Sequence, residues 1–312
     1  MADKKNGHPP QLLAVWPGIG HVALTAGLYL MSKLHMPEEK PLDTGDLFDM
    51  DYIDVEDGLA RAGHIPVSHL YAYKDPKRGP DLGLVIGEAQ PPLHKLEYCR
   101  RILDGAQRLG IGQVVTFAAA PADQHPQDPS LVYGVATHPE GIEVLRRHGI
   151  PLLEGGQIKG MNGVFLGAAA QRGIPGFCLL GSLPAFASNI PYPKASHAVL
   201  EAFASLSGRP LQLDELREYG RIIEEQLTVG LEKIQEVIQN QDQVDAESGA
   251  AAPDDAAPTP KPGEEERRRI EALFVAALRD RSKAFELKRE LDRLGVFEDY
   301  ENRFLDLFRK KS

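Results

Sequence analysis

Residues 12–23 read Leu12-Leu13-Ala14-Val15-Trp16-Pro17-Gly18-Ile19-Gly20-His21-Val22-Ala23. The segment 12–16 is an apolar run of strand length that breaks at Pro17-Gly18. Residues 19–34 then take helical spacing, with Val22, Leu24, Leu28 and Leu34 among small residues. The alternation recurs downstream. Strands are predicted at 67–73, 82–86, 113–117, 131–136 and 176–180. Helices are predicted at 96–109, 140–148, 162–172 and 194–206. The run 82–86 is continuous enough to be buried on both faces. Repeated strand–helix alternation predicts an α/β domain with a largely parallel or mixed sheet.

Length and charge divide the rest. The 312 residues exceed one typical domain and fall short of three. At 42% hydrophobic, most of the chain can bury a core. Net charge is −10, but residues 242–263 alone hold five acids against one base, whereas 264–312 is close to neutral. No segment is strongly basic, so a broad nucleic-acid footprint is not expected. No run of about 18 apolar residues exists, so no membrane span is expected. The run 12–16 is too short for a secretory core, and two cysteines, Cys99 and Cys178, make no disulfide framework. A cytoplasmic protein is expected.

The domain organisation follows. Residues 1–10 are a flexible start, and 11–241 form the α/β domain. That domain closes with a helix over 211–241, whose stripe of Ile222, Ile223, Leu227, Leu231, Ile234 and Ile238 must pack on something. Residues 242–263 carry four prolines and an alanine run, with Val244 the one large aliphatic residue, and are expected to be a disordered linker. Residues 264–312 hold six of the 21 aromatic residues, too many for a solvated tail. They predict a helical hairpin with a stop at Gly295. A two-helix unit has too little core to stand alone. It should therefore dock on its own body, self-associate or bind a partner, with Phe274, Phe285, Tyr300, Phe304 and Phe308 as the candidate partner-binding residues.

Candidate site groups gather in glycine-rich loops. The pattern G-x-G-x-x-A at Gly18, Gly20 and Ala23 has the form of a dinucleotide fingerprint, but residues 36–50 offer no second strand ending in an acid. A tight strand–helix turn is the simpler role. Trp16 fills either a groove or the core. Glu88 and Gln90 follow the strand 82–86, where ligands of open sheets collect; capping the next helix is the alternative. The loop Glu154-Gly155-Gly156-Gln157-Ile158-Lys159-Gly160-Met161-Asn162-Gly163 could cradle an anion through Lys159 and Asn162, or its glycines could serve close packing. It lacks Walker spacing. Lys194, opening the helix 194–206, could face the same mouth. His64 and His69 are not at a useful metal spacing, and neither H-E-x-x-H nor C-x-x-C occurs. No catalytic set, metal or cofactor is expected.

Six segments occur in a telling order: WPGIGHVAL, DLGLVIGEAQP, IGQVVTFAAAP, LVYGVAT, GGQIKGMNGVFLGAAAQRGIPGFCLLGSLP and PYPKASHAVLEAF. The series resembles the proteasome assembly chaperone family, in its chaperone-2 branch with archaeal and bacterial relatives, over roughly residues 11–240. The matching positions are Trp16, Pro17, Gly18, Gly20, Gly87, Glu88, Gln90, Pro91, Gly156, Gly160, Gly163, Pro193 and Lys194. His21 stands where many relatives carry Asn, and Ser182 where an acid is common. The resemblance implies a three-layer α/β/α sandwich of phosphorylase/peptidase-like type. It also implies a protein-binding, often homo-oligomeric scaffold without catalytic residues. Some members dock on proteasome rings through a C-terminal hydrophobic–Tyr–any tripeptide; this sequence ends Lys310-Lys311-Ser312, so docking by that device is not expected. The leading expectation is a non-enzymatic scaffold or assembly factor. The alternative is a small-ligand binder or enzyme with a site at the sheet mouth, built from Trp16, Gly18, Gly20, His21, Glu88, Gln90, Lys159, Asn162 and Lys194.

Overall fold

The computed structural model describes residues 9–39, 42–75, 79–108, 110–247, 263–305 and 307. From the N-terminus the chain forms β1 (Gln11–Val15), α1 (Val22–Lys33), the hairpin β2 (Ile53–Glu56) and β3 (Leu59–Ala62), β4 (Ser68–Asp75), β5 (Gly79–Gly87), α2 (Lys95–Arg108), β6 (Gln113–Ala122), β7 (Val132–Ala136), α3 (Pro139–Arg147), α4 (Gly160–Gln171), β8 (Gly176–Pro184), α5 (Pro193–Ser207) and α6 (Asp214–Glu247). Three further helices follow: α7 (Glu264–Arg279), α8 (Ala284–Arg293) and α9 (Phe297–Leu305).

β1 is buried along its whole length, and its alternation separates two cores. Leu13 and Val15 face a layer that includes α1, α5 and part of α6. Leu12 and Ala14, with Trp16 just beyond the strand, face α2 and α4. Apolar residues at every position are what a strand covered on both faces requires. The large sheet has the order β4-β5-β1-β6-β8-β7. Its four inner strands run parallel, and the edge strands β4 and β7 are antiparallel to their neighbours. The architecture is thus a mixed sheet between two helical layers, with further helices at the C-terminus.

As residues 36–50 predict, no dinucleotide-type second parallel strand follows α1 among the described residues. After α1 the chain touches the outer edge of β4 at Glu38 and Leu42 and then forms β2–β3. That hairpin was not legible in the sequence, because its strands have four residues each and every one of them is exposed. α6 runs on to Glu247, past the expected stop at Gln241. The residues 1–8 of the expected flexible start and 248–262 of the expected linker lie outside the described residues.

The C-terminal hairpin is built from three helices rather than two. The chain breaks at Asp280, which is extended and accepts the Ser282 N–H at 3.0 Å. Gly295 turns the chain out of α8 with φ +66°, as its place in the sequence predicts. The unit packs against α1: Phe285 meets Tyr29 edge-on at 4.8 Å, and the Ser32 hydroxyl donates to Ser282 O at 2.8 Å. Of the three outcomes expected for this unit, docking on its own body is the one seen, and it takes buried aromatic candidates away from partner binding. Phe274, Phe285 and Phe304 are buried inside the molecule, and Tyr300 lies half-buried against Phe274. A short unit with so many aromatic groups covers them on the nearest apolar helix face, which is α1. Phe308 lies outside the described residues.

A polar knot sits within this interface. The Lys288 ammonium, fully buried, donates to Asp292 Oδ2 at 2.7 Å and to His21 Nδ1 at 3.1 Å. The Tyr219 hydroxyl donates to the same Asp292 oxygen at 2.9 Å. Burial, and then the Lys288 charge, pull His21 down to about 2, so its imidazole is a neutral acceptor. Burial also pushes Lys288 below and Asp292 above their ordinary values, and their attraction opposes both shifts. Removing one partner of such a pair strands the other charge. Lys288→Ala is therefore expected to cost ~3–5 kcal/mol, measured by urea unfolding of the full chain. The double change Lys288→Met with Asp292→Asn leaves no lone charge and is expected to cost less than the single one.

Candidate functional site

The parallel strands β1, β6 and β8 open at their C-terminal ends onto a cleft of about 310 Å³. Its walls are the β1–α1 turn at Gly18 and Ile19, the ends of β6 and β8 at Ala118, Ala119, Pro121 and Leu180, and residues 157–162 leading into α4. Gln90 ties two of these walls together. Its Nε2 donates to Pro17 O at 2.7 Å, and its Oε1 accepts the Met161 N–H at 3.0 Å. Gly160 packs against that amide with φ +77°, a conformation that strains any residue with a β-carbon. Lys159 stands exposed at the rim, while Asn162 is only 7% exposed. The Asn162 amide oxygen has no hydrogen-bond partner among the described residues.

Gly18, Gln90, Lys159 and Asn162 thus share one cleft. The other sequence candidates lie elsewhere. Trp16 is core: it packs on Phe165 at 5.4 Å, and its indole N–H donates to Tyr98 Oη at 2.9 Å. Gly20 has φ +60°; its N–H donates to Ser188 O at 2.7 Å and its carbonyl accepts the Tyr192 N–H at 2.9 Å. It locks the β1–α1 turn to the β8–α5 connection. His21 faces the C-terminal helices, edge-on to Phe297 at 4.9 Å. Lys194 pairs with Glu224 on α6 at 2.7 Å and donates to Pro126 O at 2.8 Å. Each of these groups has a structural partner nearer than the cleft, and that removes it from the expected mouth.

Glu88 forms a second, separate cluster. One of its oxygens accepts the Val67 N–H at 2.8 Å and pairs with His64 Nε2; the other meets His69 Nε2 at 3.1 Å. The far nitrogen of His69 meets Glu38 at 2.9 Å. Beside it, the hydroxyls of Ser68 and Tyr98 are hydrogen-bonded to each other. Sequence spacing alone does not link these histidines to Glu88. The missing signal was strand direction: β4 runs antiparallel to β5 with Ser68 opposite Gly87, so Glu88 falls beside Val67. Among the described residues no group of three or more His, Cys, Asp or Glu side chains is arranged to hold a metal ion. Burial pushes both cysteine thiols up to about 12, which keeps them protonated and unreactive.

The fold and both clusters can now be set beside known proteins. The model of the PAC2 family matches residues 12–229, and the chain belongs to that family. It is 28% identical over 212 residues to the uncharacterised protein MJ1210 of Methanocaldococcus jannaschii, covering 67% of this chain and 78% of that protein. Among solved structures it is similar to PbaB of Pyrococcus furiosus, an archaeal proteasome activator, with a TM-score of 0.60 and 25% identity. The match covers 72% of this chain and 94% of PbaB. The Mycobacterium tuberculosis proteasome-assembly chaperone homologue Rv2125 shares the fold at a TM-score of 0.60 and 23% identity, over 70% of this chain and 94% of that one. The matched family region ends within α6, so α7, α8 and α9 lie beyond it. Among the described residues no helix is long and apolar enough to cross a membrane.

Burial alone would raise the Glu88 carboxyl, but the hydrogen bonds from His69, the Val67 amide and His64 outweigh it and hold Glu88 below its ordinary 4.5. A depressed carboxyl stabilises the fold above its unfolded value and loses that contribution as pH falls through the folded value. Glu88→Gln is expected to cost ~1–3 kcal/mol at pH 7. The gap to the parent chain should narrow as pH falls below 4.5. Urea unfolding at pH 7 and at acid pH measures both, and a gap that stays constant would contradict the assignment.

Proposed function

We propose that this chain is a non-catalytic, self-associating protein-binding factor that acts in proteasome assembly or activation in the cytoplasm. Membership of the PAC2 family and likeness to an archaeal proteasome activator support the first half of this reading. Trp16, Glu88 and Lys194 are all engaged in structural contacts, which favours binding over chemistry.

The observation that carries the reading is the β2–β3 hairpin. Ile53 pairs with Ala62 and Val55 with Ala60, and directly paired residues share a face. That face is wholly apolar and open: Ile53 is 52% and Val55 66% exposed. The opposite face holds Asp54, Glu56, Leu59 and Arg61, with Glu56 and Arg61 ion-paired at 3.0 Å. A two-stranded sheet with no covered face is marginal in water. A neutral apolar face with no charge to match is suited to its own copy across a two-fold axis, where residue meets equivalent residue. We therefore assign this face to a second copy of the chain, and the assembled oligomer to the proteasome partner.

The test is sedimentation of the full chain, alone and mixed with purified proteasome α-subunits from the same cell. The expected result is an oligomer that co-sediments with the α-subunits. The variant carrying Ile53→Asp and Val55→Asp should sediment as a monomer while keeping the parent Trp16 fluorescence. A parent chain that stays monomeric and sediments apart from the α-subunits would overturn the proposal.

A further inference from the structure

The cleft at the start of α4 has a chemistry that the scaffold reading leaves unused. A helix N-terminus presents amide N–H groups without intrahelical acceptors and a partial positive charge. In most helices a capping side chain or an acidic residue answers this. At α4 the N-cap residue Lys159 makes no capping hydrogen bond through its side chain, and the first turn carries no acid. One of its amides, Met161 N–H, is taken by Gln90. Among the described residues lining the cleft Lys159 is the one charged group, and no carboxylate lines it.

The second observation is independent of the helix end. Asn162 lines the cleft, lies against Gly18 and is nine-tenths buried. Its amide oxygen has no donor among the described residues. An unpaired amide atom at that depth costs free energy unless something from outside the chain completes it. Rotation about the soft terminal torsion turns either amide atom toward an occupant, so Asn162 can offer one acceptor and one donor. Exposed Gln157 adds one more polar side chain, and the other walls are aliphatic, from Ile19, Ala118, Ala119, Pro121, Ile158 and Leu180. A cleft of about 310 Å³ is at the lower end of the ligand-pocket range.

These features describe one kind of occupant. An anion would meet the α4 amides and Lys159, an adjacent N–H would meet the Asn162 oxygen, and a small aliphatic side chain would lie on the apolar wall. We propose that this cleft binds an α-amido carboxylate with an aliphatic side chain, the chemistry of the last residue of a peptide chain. A polypeptide C-terminus and a free N-acyl amino acid both carry it. The proposal does not rest on the hairpin, and binding to the cleft should persist in the chain carrying Ile53→Asp and Val55→Asp.

Calorimetric titration of the full chain tests it with four probes: a pentapeptide ending in leucine with a free carboxylate, the same peptide amidated, N-acetyl-leucine, and inorganic phosphate. The free-acid peptide is expected to bind, and the amidated form to bind about tenfold more weakly or worse. Comparable binding of N-acetyl-leucine would identify a small-molecule source, and binding of the peptide alone a polypeptide tail; either outcome supports the shared chemistry. Asn162→Asp keeps the side-chain shape and adds a repelling charge, and should abolish binding. Lys159→Glu, on the exposed rim where folding is not at stake, should weaken it about tenfold. Absence of binding by both free acids would overturn the proposal. So would equal binding of the amidated peptide or of phosphate, or affinity unchanged in both variants.

Discussion

The structure depends on β1 being covered on both faces. A five-residue strand among the parallel inner strands of the sheet must send Leu13 and Val15 into one helical layer and Leu12, Ala14 and Trp16 into the other. A chain leaving such a strand has to turn tightly over the sheet end, and Pro17 through Gly20 make that turn. Gln90 then fastens it to α4, while the backbone of Gly20 fastens it to the β8–α5 connection. The segment that looks like a nucleotide fingerprint is therefore a junction. Its glycines let three parts of the chain meet at one place, and Gly18 leaves one side of that place open as the cleft.

The same constraint decides which polar groups are free for function. Groups near the sheet end are drawn into structural networks wherever a partner is in reach, because an unpaired buried polar atom is costly. Glu88 finds His64 and His69, Trp16 finds Tyr98, and Lys194 finds Glu224. Even the C-terminal helices obey it, since Lys288 and Asp292 enter the interface as a pair with His21 and Tyr219 around them. Several buried polar atoms escape this closure among the described residues, and of these the amide oxygen of Asn162 belongs to a residue that lines the cleft; the apolar face of β2–β3 is likewise uncovered. The two proposals rest on that amide and that face.

What was legible in the sequence follows from burial. Strands and helices whose side chains enter the core carry a periodic signal, and all five downstream strands and the helices between them are found near their predicted positions. The hairpin β2–β3 buries nothing, so no hydrophobic period marks it. The pairing of Glu88 with His64 and His69 was hidden because it depends on the antiparallel direction of β4, which composition does not encode. The aromatic content of the C-terminal segment signals a need for cover but not its source, and Phe274, Phe285 and Phe304 find it on their own α1 layer and on one another. Of the candidate site, Gly18, Gln90, Lys159 and Asn162 could be assembled from the rule that ligands meet strand C-termini. Trp16, Gly20, His21, Glu88 and Lys194 could not be separated from them without the contacts.

In the proposed function, this PAC2 family protein presents the apolar face of β2–β3 to a second copy. Hydrogen exchange of the full chain at low and at high protein concentration tests that most directly, because exchange reports opening segment by segment. Amides of β1 are expected to exchange slowly at both concentrations, while amides of Ile53–Glu56 and Leu59–Ala62 gain protection as concentration rises. Hairpin exchange that is fast and independent of concentration would contradict it.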